Sequence, residues 1–171
     1  MGVALMGWLD KRTVRLVGAS QVIAAAIDAQ GGRVVTDGAC DALVHFVAAP
    51  IPEPAHEISH ANWRQTLDAG LDQRFLLARE FAAARRSAGA GGAIVFVGAP
   101  EQDCGSDHAA ASGALGNLTK TLGVEWARDG IRVNTVLTSA ACPTLGNIVA
   151  YLLSDFAAYV TGAVTGVGLD D

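Results

Sequence analysis

This chain predicts a single α/β domain, residues 1–171, built on a parallel sheet. Short, near-continuous apolar runs such as Ala93-Ile-Val-Phe-Val97 mark strands buried on both faces. Strand, helix and strand follow one another through short links near the N-terminus, the order of a parallel crossover unit. Apolar residues make up 51% of the chain and charged residues 17%, which suits a sheet covered by helices on both sides.

The elements follow in order. Thr13 to Val17 reads as a buried strand ending at Gly18. Gln21 to Gln30 places Val22, Ile23, Ala26 and Ile27 at helical spacing, and Gly31-Gly32 ends that helix. Arg33 to Thr36 is a second strand, and Asp37-Gly38 a turn. Ala42 to Val47 is a third strand, followed by an extended loop carrying Pro50, Pro52 and Pro54. Ser59 is a candidate N-cap for a long helix reaching about Arg86. Its core stripe is expected at Trp63, Leu67, Leu71, Phe75, Ala78 and Ala82. Gly89 to Gly92 leads into the strand Ala93–Val97. A loop from Ala99 to Asp107 then opens a second long helix with Leu115, Leu118 and Leu122 on one stripe. Ile131 to Leu137 is a strand, Gly146 to Ser154 a short helix, and Ala163 to Leu169 the last strand.

Several function classes are disfavoured at this point. The formal charge is -5 with no basic run, which argues against nucleic-acid partners. Cys40, Cys104 and Cys142 are scattered with no Cys-x-x-Cys pair, so no zinc site or disulfide framework is expected. His45, His56 and His60 show no metal-ligand spacing with nearby carboxylates. No apolar run is long enough for a membrane span. The N-terminus, interrupted by Asp10, Lys11 and Arg12, is unlike a signal peptide, and Met6 breaks a myristoylation pattern after Gly2. A cytoplasmic protein with reduced thiols is expected.

The stretch from Leu115 through Thr119-Lys-Thr-Leu-Gly-Val-Glu-Trp-Ala-Arg-Asp-Gly-Ile-Arg-Val-Asn134 resembles a helix and following strand of the short-chain dehydrogenase/reductase family. Trp63-Arg-Gln-Thr-Leu-Asp68 with Phe75-Leu-Leu-Ala-Arg79, the strand Asp41–Val44, and Leu152-Leu-Ser-Asp-Phe-Ala-Ala-Tyr-Val-Thr-Gly162 extend the likeness in the expected order. The resemblance implies a Rossmann-like, doubly wound parallel sheet. It implies a shortened one, because the third strand and its flanking helices, which wall the adenine pocket, have no counterpart between Asp37 and Asp41. The substrate lid is reduced to Ala140–Leu145.

The family's site residues are replaced in the same register. Its Thr-Gly-x-x-x-Gly-x-Gly turn reads Val17-Gly-Ala-Ser-Gln-Val-Ile-Ala24, and Gly18 to Gly31 is about one helical turn short. Asp37 stands near the ribose-binding acid but reads as a turn residue beside Gly38. Asn-Asn-Ala-Gly becomes His45-Phe46-Val47-Ala48. The catalytic Tyr falls on His108, Lys on Ser112, Ser on Ala99 and Asn on Gly70, and the later Pro-Gly on Thr138-Ser139.

These replacements lead the sequence reading to assign no catalytic, cofactor-binding or metal residue. His108 reads most simply as a polar residue at a helix start. Ser106, Asp107 and His108 are chain neighbours, which seldom converge into a triad. The resulting expectation is a non-catalytic subunit without cofactor, pairing with an active member of the family or with itself through the two long helices. The chain also resembles the inactive subunit of a hetero-oligomeric dehydrogenase of the benzylsuccinate-pathway type. The alternatives are a cofactor-independent enzyme using a residual pocket near His108, and a homodimeric regulatory binding protein.

Overall fold

The computed structural model describes residues 7–48, 51–100 and 104–168. Six strands form one parallel sheet: β1 (Thr13–Val17), β2 (Arg33–Val35), β3 (Ala42–Phe46), β4 (Gly92–Gly98), β5 (Ile131–Thr138) and β6 (Val164–Val167). Their order is β2-β1-β3-β4-β5-β6, so β2 is an edge strand. The chain passes from β2 almost directly into β3, which confirms the shortened sheet. Only the turn around Asp37 and Gly38, the latter at φ +84°, separates them.

Side chains alternate between two cores, as the period of a strand requires. Val44, Val95 and Val97 face α1 (Gln21–Ala29) and α5 (Pro143–Leu153), packing on Ile23, Ile27, Leu145 and Val149. Leu43, Ile94 and Phe96 face the other layer, packing on Ala78, Phe81, Leu115 and Leu122 of α3 (Gln73–Ser87) and α4 (Ser106–Glu125). Polar ties fix these layers. The Thr119 and Thr135 hydroxyls share a 2.6 Å hydrogen bond between α4 and β5. Buried Asn134 donates from Nδ2 to the Val160 carbonyl and accepts from the Ala163 N–H, which steers the chain into β6.

Ser59 caps the first long helix as expected, accepting from the Asn62 N–H. That helix is not uniform. α2 (His60–Leu67) runs into a π-helical turn at Asp68–Asp72 before α3 begins. The expected core residues Ala78 and Ala82 are buried, but Phe75 is 40% exposed, and Arg74, one helical turn before Ala78, takes the inward position at 2%. The last strand ends at Val167 in the structure, and the expected Leu169 lies outside the described residues, as do Gly2, Met6 and Pro50.

Candidate active site

The C-terminal edge of the sheet on the α3/α4 side carries two adjoining cavities. The outer one is a cleft of about 370 Å³, lined by Val47, Ala48 and Ile51, by Glu53, Asn62, Gln65, Thr66, Ala69 and Gly70, and by Asp107 and His108. The inner one is about 10 Å³ and is lined by Gly70, Arg74, Gly98, Ala99, His108, Ala111 and Ser112. Gly70 and His108 border both.

The inner cavity gathers the four positions the sequence aligned with catalytic groups: Gly70, Ala99, His108 and Ser112. The π-helical turn brings Gly70 to it. An added Cβ there would lie 3.0 Å from the Ala111 Cβ, so the π-helical turn and α4 approach closely at this point. The Ser112 hydroxyl donates to the Ala99 carbonyl at 3.3 Å. His108 stands at a helix start, as expected, but it is buried there, 5% exposed in the first turn of α4.

Arg74 is the residue that sequence reasoning missed. Its Nη2 donates to the Val97 carbonyl at 2.7 Å, and its Nε has no partner among the described residues. Its guanidinium lies under Gly98, where an added Cβ would come within 3.2 Å of Nη1. Burial lowers its pKa to about 10. Its charge in turn acts on two imidazoles. His45, 3% exposed and with Nδ1 unpartnered among the described residues, is held at about 4 by burial first and by Arg74 second. His108 is lowered by burial and then by Arg74, against the opposing pull of Asp107.

Asp107 stands at the cleft mouth. Burial raises its pKa, but hydrogen bonds from the Thr66 hydroxyl at 2.6 Å and from backbone N–H groups of the α4 first turn, with His108 nearby, outweigh that and leave it below the ordinary range. Glu53 accepts from the Asn62 amide at 3.1 Å. Among the described residues no group of three His, Cys, Asp or Glu is placed to hold a metal ion. No described helix is long and apolar enough to cross a membrane.

A parallel sheet wound on both faces, with a cleft beyond the carboxyl ends of its strands, is the Rossmann-like fold class. Residues 17–145 match the family model described as enoyl-(acyl carrier protein) reductase, and the chain belongs to the short-chain dehydrogenase/reductase family. It is 32% identical over 162 residues to cis-4-hydroxycyclohexanecarboxylate dehydrogenase of Sinomonas cyclohexanicum, covering 76% of this chain and 65% of that protein. It is 31% identical over 198 residues to a (2S)-[(R)-hydroxy(phenyl)methyl]succinyl-CoA dehydrogenase subunit of Thauera aromatica, covering 91% of this chain and 77% of that one. The chain spans 39% of a tropinone reductase homolog of Arabidopsis thaliana, so several curated relatives are considerably longer than the matched part. The fold is also that of acetoin dehydrogenase from Salmonella typhimurium, with a TM-score of 0.79, 21% identity, and coverage of 94% of this chain and 96% of that one.

These relatives overturn the expectation of a non-catalytic subunit, and with it the reading that the chain is not an enzyme. They are named dehydrogenases and reductases. The physical reason is visible in the inner cavity. In place of Tyr and Lys, the imidazole of His108 and the guanidinium of Arg74 line the same space.

The dinucleotide used by the family must be tested against the β1–α1 turn. Gly18 (φ +90°) is filled by the chain itself: an added Cβ would lie 2.0 Å from the Phe46 carbonyl oxygen. Ser20 caps α1, its hydroxyl accepting from the Ile23 N–H. The Val22 carbonyl packs against Gly146, where an added Cβ would lie 2.7 Å away. This turn does not fit the phosphate cradle of the family.

Proposed function

We propose that the chain is an enzyme of short-chain dehydrogenase/reductase type that acts on a small hydroxy or keto compound in the 370 Å³ cleft, with His108 as its proton-transfer group. The observation that carries this is the position of His108. It occupies the family's tyrosine register and borders both the open cleft and the inner cavity. Burial and Arg74 keep its imidazole neutral near pH 7. A neutral imidazole accepts a proton, so the direction it serves best is removal of the hydroxyl proton from an alcohol. Thr66 holds the Asp107 carboxylate beside His108, where it stabilises the imidazolium as the proton arrives.

The test is turnover of a panel of small secondary alcohols and hydroxy acids with NAD⁺ or NADP⁺, of the matching ketones with NADH or NADPH, and of the whole panel with no dinucleotide for proton transfer alone, by wild type and His108→Ala. Loss of about 10²–10⁴-fold in rate on substitution supports the assignment. An unchanged rate, or no turnover across the panel, contradicts it.

The same reading includes pairing with a second family chain, its own copy or another, through the outer face of α3. Phe75 and Leu76 stand 40% and 48% exposed there, beside a groove lined by Val17, Leu77 and Ala83. Sedimentation equilibrium of wild type and a Phe75→Glu/Leu76→Glu variant tests it. A dimer lost on substitution supports the pairing, and a wild-type monomer that also fails to bind a family member contradicts it.

A further inference from the structure

We infer that the inner cavity is a binding site for one anionic oxygen, and that the compound it selects is a small hydroxy acid with its carboxylate at Arg74 and its hydroxyl at His108. The inference deepens the proposed function and rests on the cleft being the substrate site.

The first ground is charge. A buried guanidinium with five N–H donors receives one neutral acceptor, the Val97 carbonyl. No carboxylate of the described residues forms an ion pair with it. The groups nearest in its field, His45 and His108, are held neutral and bring no compensating charge. Among the described residues, Asp107 is the carboxylate that acts on this cluster, and it is engaged with Thr66 and the start of α4. A cation left this way is strongly disfavoured unless an anion joins it.

The second ground is space. The inner cavity of about 10 Å³ is room for a single water-sized atom, not for a whole ligand. It abuts the cleft at Gly70 and His108, and Gly70 presents no side chain at that boundary. One oxygen can therefore enter while the rest of the compound stays in the cleft. Glu53 and Asp107 on the outer walls repel a second negative charge, so a monocarboxylate fits and a dicarboxylate does not. A hydroxyl two or three bonds from that carboxylate falls beside His108, the shared wall.

The experiment uses glycolate and its neutral isostere glycolamide, followed by the His45 and His108 imidazole resonances. Glycolate at millimolar concentration is expected to bind at least tenfold more tightly than glycolamide. It should move both imidazole titrations upward as it screens Arg74. Arg74→Gln should lose that preference. Where Arg74→Gln does not fold, Arg74→Lys, which keeps the charge and lacks Nε, should weaken glycolate several-fold while sparing glycolamide. Equal binding of the two compounds by wild type overturns the inference, as does full glycolate affinity in a folded Arg74 variant. Glu101 and Asp103 lie outside the described residues, so a Glu101→Gln/Asp103→Asn variant is included. Glycolate binding in that variant and none in wild type would make one of them the counter-ion and overturn the inference. Failure here is separable from failure of the proposed function. Selective glycolate binding with turnover indifferent to His108→Ala sinks only the catalytic assignment, and the reverse pattern sinks only the anion site.

Discussion

Thr66 and Asp107, 41 positions apart, meet in a 2.6 Å hydrogen bond from the threonine hydroxyl to the carboxylate. The contact ties α2 to the first turn of α4 at the mouth of the cleft and fixes the carboxylate next to His108. Thr66→Val is expected to raise the Asp107 pKa and to destabilise the fold by about 1.5–3 kcal/mol, the range for a hydrogen bond to a charged acceptor. Thr66→Ser should retain most of both. Carboxyl titration by NMR, with chemical denaturation of the variants, checks this.

Acid should weaken the fold through His45. Its folded-state pKa of about 4 lies below the ordinary 6.5, so the unfolded chain binds the proton first. Stability contributed by the neutral buried imidazole is present above pH 6.5 and is lost as pH falls toward 4, on the order of 3 kcal/mol in all. His108 adds in the same direction. Denaturation midpoints between pH 7 and 4 should show this slope in wild type, and it should flatten in His45→Leu.

Gly18→Ala should be among the most damaging single changes. The new Cβ would meet the Phe46 carbonyl oxygen at 2.0 Å in a backbone at φ +90°. A loss of more than about 2 kcal/mol is expected, since neither the strand nor the turn can give without moving the sheet. Thermal unfolding measures it. A neutral Gly18→Ala would mean that the β1–α1 turn is more open than the structure shows.

Restoring the family lysine should not restore anything. Ser112→Lys places a second cation in a cavity of about 10 Å³ already occupied at one wall by Arg74. Destabilisation of at least ~2 kcal/mol is expected. Ser112→Ala removes only the 3.3 Å bond to Ala99 and should cost less than about 1 kcal/mol. The pair of melting temperatures separates crowding and charge from the loss of a hydroxyl.

Much of the fold was legible because its signals are local. The apolar run at Ala93–Val97, the Ser59 cap and the glycines ending α1 each determine structure within a few residues. The direct passage from Asp37 to the strand at Ala42 gave away the shortened sheet. The site was only half legible. Register placed Gly70, Ala99, His108 and Ser112 together, as they are. It missed Arg74, because apolar side chains define an inward stripe and Phe75 stands beside position 74, where a 3.6-residue period from Trp63 falls. An arginine next to an aromatic reads as the solvated neighbour of a core residue. Its burial is decided by tertiary contacts with β4 and α4. The expectation of a non-catalytic subunit followed from that gap. With Tyr and Lys gone and Arg74 unseen, the cavity looked emptied of chemistry.

The central claim is that His108 transfers a proton from a substrate hydroxyl in the cleft. The measurement that reaches it most directly is the pH dependence of kcat/KM for whichever hydroxy compound of the panel is turned over, in wild type and His108→Ala. Activity should rise to a plateau through a pKa below the ordinary imidazole value. In His108→Ala that limb should be gone and the plateau lower by about 10²-fold or more. An identical profile in the two proteins would contradict it.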